Sequence, residues 1–600
     1  MSEILWCADN GDGTYRNPVL YCDYSDPDAI CVNGTYYLTA STFNYVPGLP
    51  ILTSRDLVNW KLRNYAVKNI PEARYAAPQH AQGIWAPAIR FQNGRFYIYY
   101  GMPDEGIYMV STENPLGDWD TPVLVKPGKG LIDPCPFWDD DGRAYIIHGY
   151  AKSRIGFKSW LGIFPISPDG RTALGDDHLL YDGTKKHPTI EGPKVHKRDG
   201  WYYIFAPAGG VATGWQVCLR SRSIFGPYET QVVLKQGSSE TNGPHQGAWV
   251  ETPEGEHWFL HFQSRGLYGR VTHLQPMTWQ ADGWPYIGIP DETPVPPDAI
   301  AVGEECAEAA PIANAADCGI AVETYRKPKA PECEPSGEIG DDDFSGALGL
   351  QWQFMGNWQP DFYEVGGGKL RLYARKLPDG GDRLWQCPQT LTQKIACPAF
   401  FATTTLDAAH LQAGEQAGVG FVGGQYAYAA VRRTENGVSL VFVTSEGKEH
   451  TESATETVPI QDAPVTFRVT LLPTSSSTAV VSFEYAQGGE FHPIGQPFEP
   501  ARHTWVGARL ALFCMPMNGG DDRGGWADFG AVRVEAIETL KKKPTFGLEK
   551  PDSGRKSAES QEKKRPQTLL IVNLDGRFPP NSGEIQHQQN RRRNPVRHYD

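Results

Sequence analysis

Residues 25–38, SDPDAICVNGTYYL, combine two acids beside a proline with a hairpin signal. Asp26 and Asp28 stand directly before an apolar run, and Asn33-Gly34 separates that run from an aromatic segment. Asn-Gly between two such runs strongly indicates a two-residue β-hairpin. Acids at the entrance of a strand that should be core need an explanation, because carboxylates are rarely buried without a purpose.

The same unit occurs five times in the first half of the chain. Each copy places Asn, Asp or Glu before a Gly, with a large aromatic residue three positions after the Gly and a short apolar strand on either side. The dipeptides are Asn33-Gly34, Asn93-Gly94, Asp141-Gly142, Asp199-Gly200 and Glu254-Gly255, and the aromatic residues are Tyr37, Tyr97, Tyr145, Tyr203 and Trp258. The Glu-Gly copy is the weakest hairpin signal of the five.

The spacing of the copies predicts their arrangement. Successive glycines are 60, 48, 58 and 55 residues apart, which is enough chain for one four-stranded sheet with loops of variable length. Five such sheets arranged radially form a five-bladed β-propeller. An open array of hairpins is the alternative that the repeats alone leave open. The four tyrosines that follow the glycines are predicted to be core residues.

The start of the leading strand in each copy carries a distinctive residue. Eight to ten positions before each Gly stand Asp26, Trp85, Asp133, Glu191 and His245. The innermost strand of each propeller blade runs along the central channel, so these positions form a ring at one mouth. Carboxylates gathered in this way destabilise the fold unless something uses them. The ring is the candidate functional site, and Asp28 is expected to share the face of Asp26 or to support the turn.

Six ordered segments carry a resemblance to a known family. They are NPVLYCDYSDPDAI, STFNYVPGLPILTSRDLVNW, GIWAPAIRF, GLIDPCPFWDDDGRAY, HPTIEGPK and GPHQGAWVET. Together they resemble glycoside hydrolase family 43, which contains five-bladed propeller β-xylosidases, α-L-arabinofuranosidases and arabinanases. The resemblance covers residues 15–290 and extends more loosely to the sandwich that follows the propeller in the xylosidase-like branches.

The resemblance implies an inverting mechanism in which three carboxylates have separate roles. Asp26 corresponds to the general base that activates water, and Glu191 corresponds to the general acid that protonates the leaving oxygen. Asp133 corresponds to the carboxylate that orients and tunes the acid. Inverting hydrolysis needs base and acid about 6.5–9.5 Å apart, a gap that opposite sides of a propeller mouth can supply. Taken alone, Asp-Pro and Glu-Gly-Pro indicate only turns or loops.

The resemblance implies further roles at four positions. Arg270, in LYGRVTHLQPMTW, matches an arginine that reaches sugar hydroxyls, with a surface arginine as the alternative. Trp85 and Phe43 are candidates for stacking on the sugar ring, with a core role as the alternative. His245 matches a histidine that supports Ca²⁺ through water ligands in cation-dependent members. One histidine is a thin metal signature, because Ca²⁺ prefers several oxygen ligands, and a hydrogen-bonded structural histidine is the alternative. No other cofactor is expected.

Charge excludes one class of partner. Residues 1–540 carry 42 Lys and Arg against 63 Asp and Glu, whereas residues 541–600 carry 14 against 7. A body with a net charge of −21 is a poor nucleic-acid binder, because phosphate binding needs basic surface. No stretch approaches the roughly 20 apolar residues of a membrane span, and the first residues do not resemble a signal peptide. With eleven cysteines lacking CxxC spacing, the protein is expected to be cytoplasmic and reduced.

The chain divides into four predicted parts. Residues 1–300 are the propeller, and residues 301–340, rich in Ala, Pro and Glu, are a linker. Residues 341–540 show period-two alternation, as at Val465, Phe467, Val469 and Leu471, and are predicted to form a concanavalin-like β-sandwich. The sandwich is expected to narrow the pocket, although a carbohydrate-binding role is left open. Residues 541–600 are basic and poor in aromatics and are predicted to be disordered.

These features predict an exo-acting glycosidase. The expected substrates are xylo-oligosaccharides and arabinoxylan fragments, with terminal β-1,4-xylose released and α-L-arabinofuranosidase activity alongside it. A predominantly α-L-arabinofuranosidase activity is the alternative, because the two sugars present similar hydroxyl patterns. A non-catalytic sugar-binding propeller is the rival from another class, which retention of all three carboxylates disfavours. An endo-arabinanase would need an open groove. The sequence leaves oligomeric state undecided, a homo-oligomer included.

Overall fold

The structure is a computed structural model that describes residues 3–292 and 318–537. Within these ranges five blade sheets come first and two larger sheets follow. The predicted all-β class, a five-bladed propeller followed by a β-sandwich, is confirmed. The described parts of both domains belong to one compact unit. The predicted tail at 541–600 and much of the predicted linker lie outside the described residues.

Each blade consists of four consecutive antiparallel strands, with the innermost strand first. A short strand, β1 (Thr14–Arg16), precedes them. The blade strands are β2–β5 (Asp28–Val32, Thr35–Thr39, Gly48–Ser54, Lys61–Val67), β6–β9 (Trp85–Gln92, Arg95–Met102, Gly106–Thr112, Val123–Pro127), β10–β13 (Leu131–Trp138, Ala144–Tyr150, Trp160–Ile166, His178–Asp182), β14–β17 (Lys194–Arg198, Trp201–Ala208, Trp215–Ser221, Glu229–Lys235) and β18–β21 (His245–Glu251, His257–Ser264, Arg270–Trp279, Pro285–Ile287).

The repeated dipeptides form the turns between the first two strands of each blade. Asn33-Gly34, Asn93-Gly94 and Asp199-Gly200 have positive φ at both residues, as a two-residue type I′ hairpin requires. In the third and fifth blades the strands resume only at Ala144 and His257, so the loop is longer and only its Gly has positive φ. The repeat predicted all five hairpins, and the turn type follows the dipeptide.

The blades close into a ring because the first and last inner strands, β2 and β18, lie side by side. A chain of contacts joins neighbouring blades further down the channel. Asp28 accepts hydrogen bonds from the Ile89 amide at 2.8 Å and from Arg90 at 2.6 Å. Arg90 in turn donates to the Cys135 sulfur at 3.0 Å. Asp28 therefore joins the first blade to the second and does not share the surroundings of Asp26.

The described end of the predicted linker packs against the propeller. Strand β22 (Gly319–Ile320) adds in parallel to β17, so the fourth blade has a fifth strand. Strand β23 (Thr324–Arg326) pairs antiparallel with β1 near the start of the chain. This segment thus pairs with the fourth blade and with the first strand of the chain before the sandwich begins.

The sandwich consists of two antiparallel sheets. Its strands are β24–β31 (Trp352–Phe354, Tyr363–Gly366, Lys369–Tyr373, Leu391–Lys394, Phe400–Asp407, Glu415–Val422, Tyr426–Thr434, Gly437–Glu446) and β32–β38 (Thr451–Pro459, Val465–Pro473, Ala479–Ala486, His492–Phe498, Arg509–Pro516, Trp526–Phe529, Arg533–Ala536). The first sheet has the order β24-β27-β36-β29-β30-β31-β32, the second has the order β25-β26-β37-β28-β33-β34-β35, and β38 pairs with β28. The alternating residues of β33, from Val465 to Leu471, are all buried between the sheets, as period-two patterning predicts.

Helical structure in the described ranges is limited to single turns. The α-helical turn is Lys152–Ile155, and the 3-10 turns are Ala73–Ala76, Gly266–Tyr268, Pro378–Gly380 and Leu384–Gln386. A search of these same residues finds no helix with the length and apolar character that a bilayer crossing demands.

The two domains meet through an aromatic contact beside the channel mouth. Trp385 of the sandwich lies between two histidine rings, stacked on His80 of the propeller at 3.5 Å and on His450 at 3.8 Å. His80 also bonds the Trp385 carbonyl at 2.8 Å, and His503 touches both His80 and Trp385. An apolar cluster continues the contact from Phe43 and other propeller residues into the sandwich. The sandwich is therefore fixed next to the candidate site.

Candidate active site

The ring positions lie where the inner strands are irregular. Strand β10 has a bulge across Asp133, and β6 and β18 have bulges directly after Trp85 and His245. Asp26 and Asp133 both adopt positive φ, at 55° and 56°. This is a strained conformation for a residue with a side chain, of a kind that clusters at functional sites. The ring side chains therefore lie at or just before the start of regular pairing in the inner strands.

Asp26 is buried and held by three donors. Arg270 donates to one carboxylate oxygen at 2.9 Å, while Ser25 and Ser41 donate to the other at 2.8 and 2.6 Å. Arg270 also bonds the Ser25 hydroxyl at 2.9 Å. These charge-assisted contacts fix the carboxylate in one orientation. Arg270 is 8% exposed, so it is not a surface arginine.

Asp133 is buried and accepts two hydrogen bonds. The backbone N–H of Gly192 donates to it at 2.8 Å and the Gln246 amide donates at 3.2 Å. Burial, followed by the negative charges of Glu191 and Asp26, raises the pKa of Asp133 to about 8. The charges of both Glu191 and Asp26 act on Asp133, which indicates that the three predicted carboxylates lie near one another at one mouth.

Glu191 is the most accessible of the three carboxylates, with 29% of its side chain exposed. His245, which is 1% exposed, contacts it at 2.8 Å through Nε2. Gly192, the next residue, has a φ of +56°, and a Cβ on it would lie 2.2 Å from the Gln246 side chain. The Glu-Gly-Pro motif therefore needs its glycine so that the backbone can approach both Asp133 and Gln246. Glu191 is left facing the opening.

Two predicted aromatic residues form one wall of the mouth together with a residue from the sandwich. Phe43 and Trp85 are both buried, with ring centres 6.4 Å apart. Trp505 stacks on Phe43 at 6.4 Å and meets Trp85 edge to face at 4.6 Å. Arg154, from the α-helical turn, lies 5.5 Å from the Trp85 ring. The two aromatic side chains thus have core contacts as well as a place at the site, and sugar stacking by them stays a prediction.

A segment of the sandwich completes the pocket. A cavity of about 140 Å³ is lined by Arg270, Val211 and Ser264 of the propeller and by residues 502–505. Asp23 attaches this segment to the propeller, because its carboxylate accepts from the Arg270 amide at 2.8 Å and from the Gly507 amide at 2.9 Å. The closure that was expected of the sandwich is therefore made by residues 502–507.

The ligands around His245 give little support to a bound metal ion. Nε2 of His245 is engaged by Glu191, and only the buried Nδ1 is without a hydrogen-bond partner among the described residues. In those residues no group of three or more His, Cys, Asp or Glu side chains is arranged to hold an ion. Calcium prefers several oxygen ligands, so this donor set does not identify His245 as a metal ligand. Calcium near this histidine stays a prediction.

The sequence did not predict the site residues that other parts of the fold contribute. Trp505 and its neighbours lie in a loop of the other domain with no motif to mark them. Asp23 had a weak signal, since it is a third acid in the apolar run that contains Asp26. Ser41 and Gln246 are close to predicted positions but have no distinctive pattern of their own. Their roles depend on contacts that only the folded chain provides.

A propeller mouth with one carboxylate fixed by donors, one buried and one facing solvent has the groups needed for acid–base hydrolysis of a glycosidic bond. The fold and this mouth define a glycoside hydrolase of the five-bladed propeller class.

Comparison with known proteins identifies the family. The model of glycosyl hydrolases family 43 matches residues 15–285, and that of the β-xylosidase C-terminal concanavalin A-like domain matches residues 341–535. A putative β-xylosidase of Xylanibacter ruminicola is 41% identical over 65% of this chain and 67% of its own length. The chain belongs to glycoside hydrolase family 43.

Two further likenesses agree with this assignment. The non-reducing end α-L-arabinofuranosidase BoGH43B of Bacteroides ovatus is 31% identical over 61% of this chain and 67% of its own length. The crystal structure of the GH43 protein BlXynB from Bacillus licheniformis superimposes with a TM-score of 0.71 and 25% identity, covering 87% of this chain and all of that chain. The likeness extends across both domains.

Proposed function

We propose that the protein is an inverting exo-glycosidase that removes terminal β-1,4-linked xylose from xylan-derived oligosaccharides, with α-L-arabinofuranosidase activity alongside it. The observation that carries the proposal is the grouping of Asp26, Asp133 and Glu191 in three different environments at one mouth. The family relatives support the choice of sugar, since one is called a putative β-xylosidase and another an α-L-arabinofuranosidase.

Each carboxylate has a role that suits its contacts. Asp26, held among donors, accepts a proton from water, and the resulting hydroxide oxygen bonds to the anomeric carbon. The bond from that carbon to the leaving oxygen breaks as Glu191 gives its proton to that oxygen. Glu191 suits this role because it is the exposed member of the group. Asp133, bonded to the backbone beside Glu191, orients the acid. Attack from the opposite face inverts the anomeric configuration.

The closed wall supports action at chain ends. Trp505 and the rest of segment 502–505 stand beside Arg270, so the pocket is bounded on this side by the second domain. A bounded pocket fits the end of an oligosaccharide, whereas cleavage inside a polymer needs a groove open at both sides. The same argument disfavours the endo-arabinanase alternative. A non-catalytic binder remains the rival, and activity measurements separate the two.

The test is a panel of 4-nitrophenyl β-D-xylopyranoside, 4-nitrophenyl α-L-arabinofuranoside and xylobiose, with proton NMR of the first-formed sugar. We expect hydrolysis of the xyloside with α-xylose appearing first. β-Xylose appearing first would contradict inversion, and a higher kcat/KM on the arabinofuranoside would favour the alternative activity. Failure to hydrolyse any of these substrates, together with measurable sugar binding, would favour the non-catalytic rival.

Calcium dependence is tested separately. Because the described donors around His245 are few, we expect kcat to be unchanged after treatment with EDTA followed by desalting. Re-addition of CaCl₂ and, as a control, MgCl₂ completes the measurement. A large loss that only calcium restores would support the cation-dependent alternative.

A further inference from the structure

The turn between β11 and β12 carries an exposed aromatic ring. Phe157 is 37% exposed, and its ring contacts Tyr150, the last residue of β11, at 5.1 Å and Trp160, the first residue of β12, at 4.8 Å. Single exposed apolar side chains are common, whereas a group of contacting aromatic rings that reaches the surface is a candidate binding surface. Tyr150, Phe157 and Trp160 are called the aromatic platform below. The proposed chemistry uses none of them.

The aromatic platform lies at the mouth end of the third blade. Leu131, two residues before Asp133, pairs with Tyr150 at the end of β11. Strand β12 pairs antiparallel with β11 and begins with Trp160. Because consecutive antiparallel strands end and begin on the same side of a sheet, the platform and Asp133 share one end of the blade.

Two contacts place the platform beside the proposed proton donor. A Cβ on Gly149, the residue before the end of β11, would lie 3.7 Å from both Cα and Cβ of Glu191. On the next strand, the Ser159 hydroxyl accepts a hydrogen bond at 2.8 Å from the amide of Thr189, two residues before Glu191. The Ser159 carbonyl accepts another from the Gly183 amide at 2.8 Å. The loop that carries Glu191 therefore packs on β11 and is hydrogen-bonded to the turn that carries Phe157.

The backbone on either side of Phe157 has an unusual conformation. Gly156 has a φ of +86° and Ser159 has a φ of +72°. Positive φ suits a glycine, but it is uncommon and strained for a residue with a side chain, and such residues cluster at functional sites. The two hydrogen bonds from the Glu191 loop hold Ser159 in this conformation. The position of the Phe157 ring therefore depends on the loop that carries the proposed acid.

The proposed chemistry determines which part of a substrate passes this side of the mouth. Glu191 gives its proton to the leaving oxygen, so the sugar attached to that oxygen lies on the Glu191 side of the terminal xylose. Segment 502–505 of the sandwich bounds the pocket beside Arg270. By contrast, the described rings that contact Phe157 all belong to the propeller. The leaving part of the chain therefore has a path over the third blade, where the aromatic platform is exposed.

We propose that the aromatic platform binds the leaving part of a β-1,4-linked xylo-oligosaccharide, with the Phe157 ring against the apolar C–H face of a sugar beyond the cleaved bond. Aromatic side chains provide a large, rigid apolar surface for such a contact. The inference rests on the proposed function and deepens it, because it assigns a binding site to the part of the substrate that leaves the pocket.

The first experiment compares a substrate that has a leaving chain with one that has none. We measure kcat and KM on xylotetraose and on β-D-xylopyranosyl fluoride for the natural protein, Phe157→Ala and Phe157→Tyr. Covering the exposed 37% of Phe157 corresponds to about a three- to sixfold change in affinity, at the usual value for burying a phenylalanine side chain. Phe157→Ala should raise KM for xylotetraose by this factor and leave both constants for the fluoride unchanged. Phe157→Tyr keeps the ring and should match the natural protein.

Phe225→Ala is the matched control. Phe225 is 53% exposed and meets the Tyr145 ring edge to face at 5.5 Å, but Tyr145 lies near the hairpin end of the third blade, away from the mouth. Its replacement should change neither substrate's constants. Thermal unfolding reports whether each variant is folded, and Phe157→Leu replaces Phe157→Ala if the latter is not.

The second experiment needs no turnover. Isothermal titration calorimetry measures Kd for D-xylose and xylotetraose in Glu191→Gln protein, with Phe157 intact and with Phe157→Ala added. We expect Phe157→Ala to raise the Kd of xylotetraose by the same factor as KM. The Kd of D-xylose, which fills the pocket alone, should stay unchanged.

The outcomes separate the inference from the proposed function. Unchanged KM and Kd for xylotetraose in a folded Phe157→Ala or Phe157→Leu protein overturn the inference. Equal losses on xylotetraose and the fluoride, or an equal loss in Phe225→Ala, overturn it as well, because the effect would then not come from the leaving chain. If the natural protein hydrolyses neither substrate, the proposed function fails, while the calorimetric titrations still decide whether Phe157 holds xylotetraose. No binding of xylotetraose with Phe157 intact would overturn the inference.

Discussion

Replacement of Glu191 by Gln tests the assignment of the proton donor with little structural change. Gln keeps the volume of the side chain and an oxygen that can accept the 2.8 Å hydrogen bond from His245 Nε2. The position is 29% exposed, so an uncharged amide there carries a small burial cost. The substitution therefore removes the transferable proton and little else. We expect the apparent Tm to stay within about 2 °C, since comparable surface changes alter stability by about 0.5 kcal/mol or less.

The magnitude depends on the leaving group. A positioned general acid contributes about 10²–10⁴-fold, equivalent to about 3–5 kcal/mol in the barrier. On xylobiose, whose leaving sugar oxygen needs a proton, kcat should fall by about this full factor. On 2,4-dinitrophenyl β-D-xylopyranoside, whose phenolate leaves without a proton, the loss should be less than about tenfold on the same reasoning. The ratio of the two losses measures proton donation directly.

Two comparisons decide the result. Glu338→Gln is the matched control, because Glu338 also accepts a hydrogen bond, from Tyr24 at 2.7 Å, but lies at the domain junction away from the mouth. It should lose less than twofold on either substrate. Equal losses on xylobiose and on the dinitrophenyl substrate would refute the reasoning, since Glu191 would then act by position or folding and not as an acid. Undiminished turnover on xylobiose would refute it outright.

Three further predictions follow from the site and the domain junction. Because the folded state raises the pKa of Asp133 from 3.8 to about 8, folding favours the protonated carboxyl, and the free energy of unfolding falls as pH rises through that window. Between pH 6 and 9 the apparent Tm of Asp133→Asn should therefore fall less than that of the natural protein. An equal fall would contradict this prediction. Burial lowers the pKa of His80 to about 3 and that of His503 to about 4, so the stability that the neutral rings contribute is complete above pH 6.5 and is lost as pH falls towards 4. Thermal unfolding should therefore show a smaller drop in apparent Tm from pH 7 to pH 5 in a His80→Phe, His503→Phe double variant than in the natural protein. An equal drop would assign the acid sensitivity to other groups. A Cβ at Gly507 would lie 2.8 Å from the Gly269 nitrogen. Gly507→Ala should therefore lower the free energy of unfolding by about 1–3 kcal/mol and raise KM for xylobiose by displacing segment 502–507. Gly346→Ala, at a glycine with open space around it, should change neither quantity.

The sequence determined the propeller and the identity of its ring. Hairpin turns and period-two strands are local patterns, so five copies of Asn-Gly or its variants predicted five blades without knowledge of the tertiary structure. Equal positions in each copy then predicted that Asp26, Asp133 and Glu191 meet, because a closed ring of blades places the starts of its inner strands at one mouth. Asp26 and Asp133 are more than a hundred residues apart in the chain, yet they occupy equivalent positions in the repeated unit.

Only the tertiary structure decided how each member of the ring is held. Asp26 and Asp28 are two residues apart, but one is bonded by Arg270 and the other joins two blades through Arg90. The Arg270 contact spans 244 residues and the Asp23–Gly507 contact spans 484. No local pattern encodes such pairs, because they join elements that are unrelated in the repeat. The physical reason is that periodicity fixes which way a side chain faces, whereas partners, burial and proton distribution depend on packing between blades and between domains.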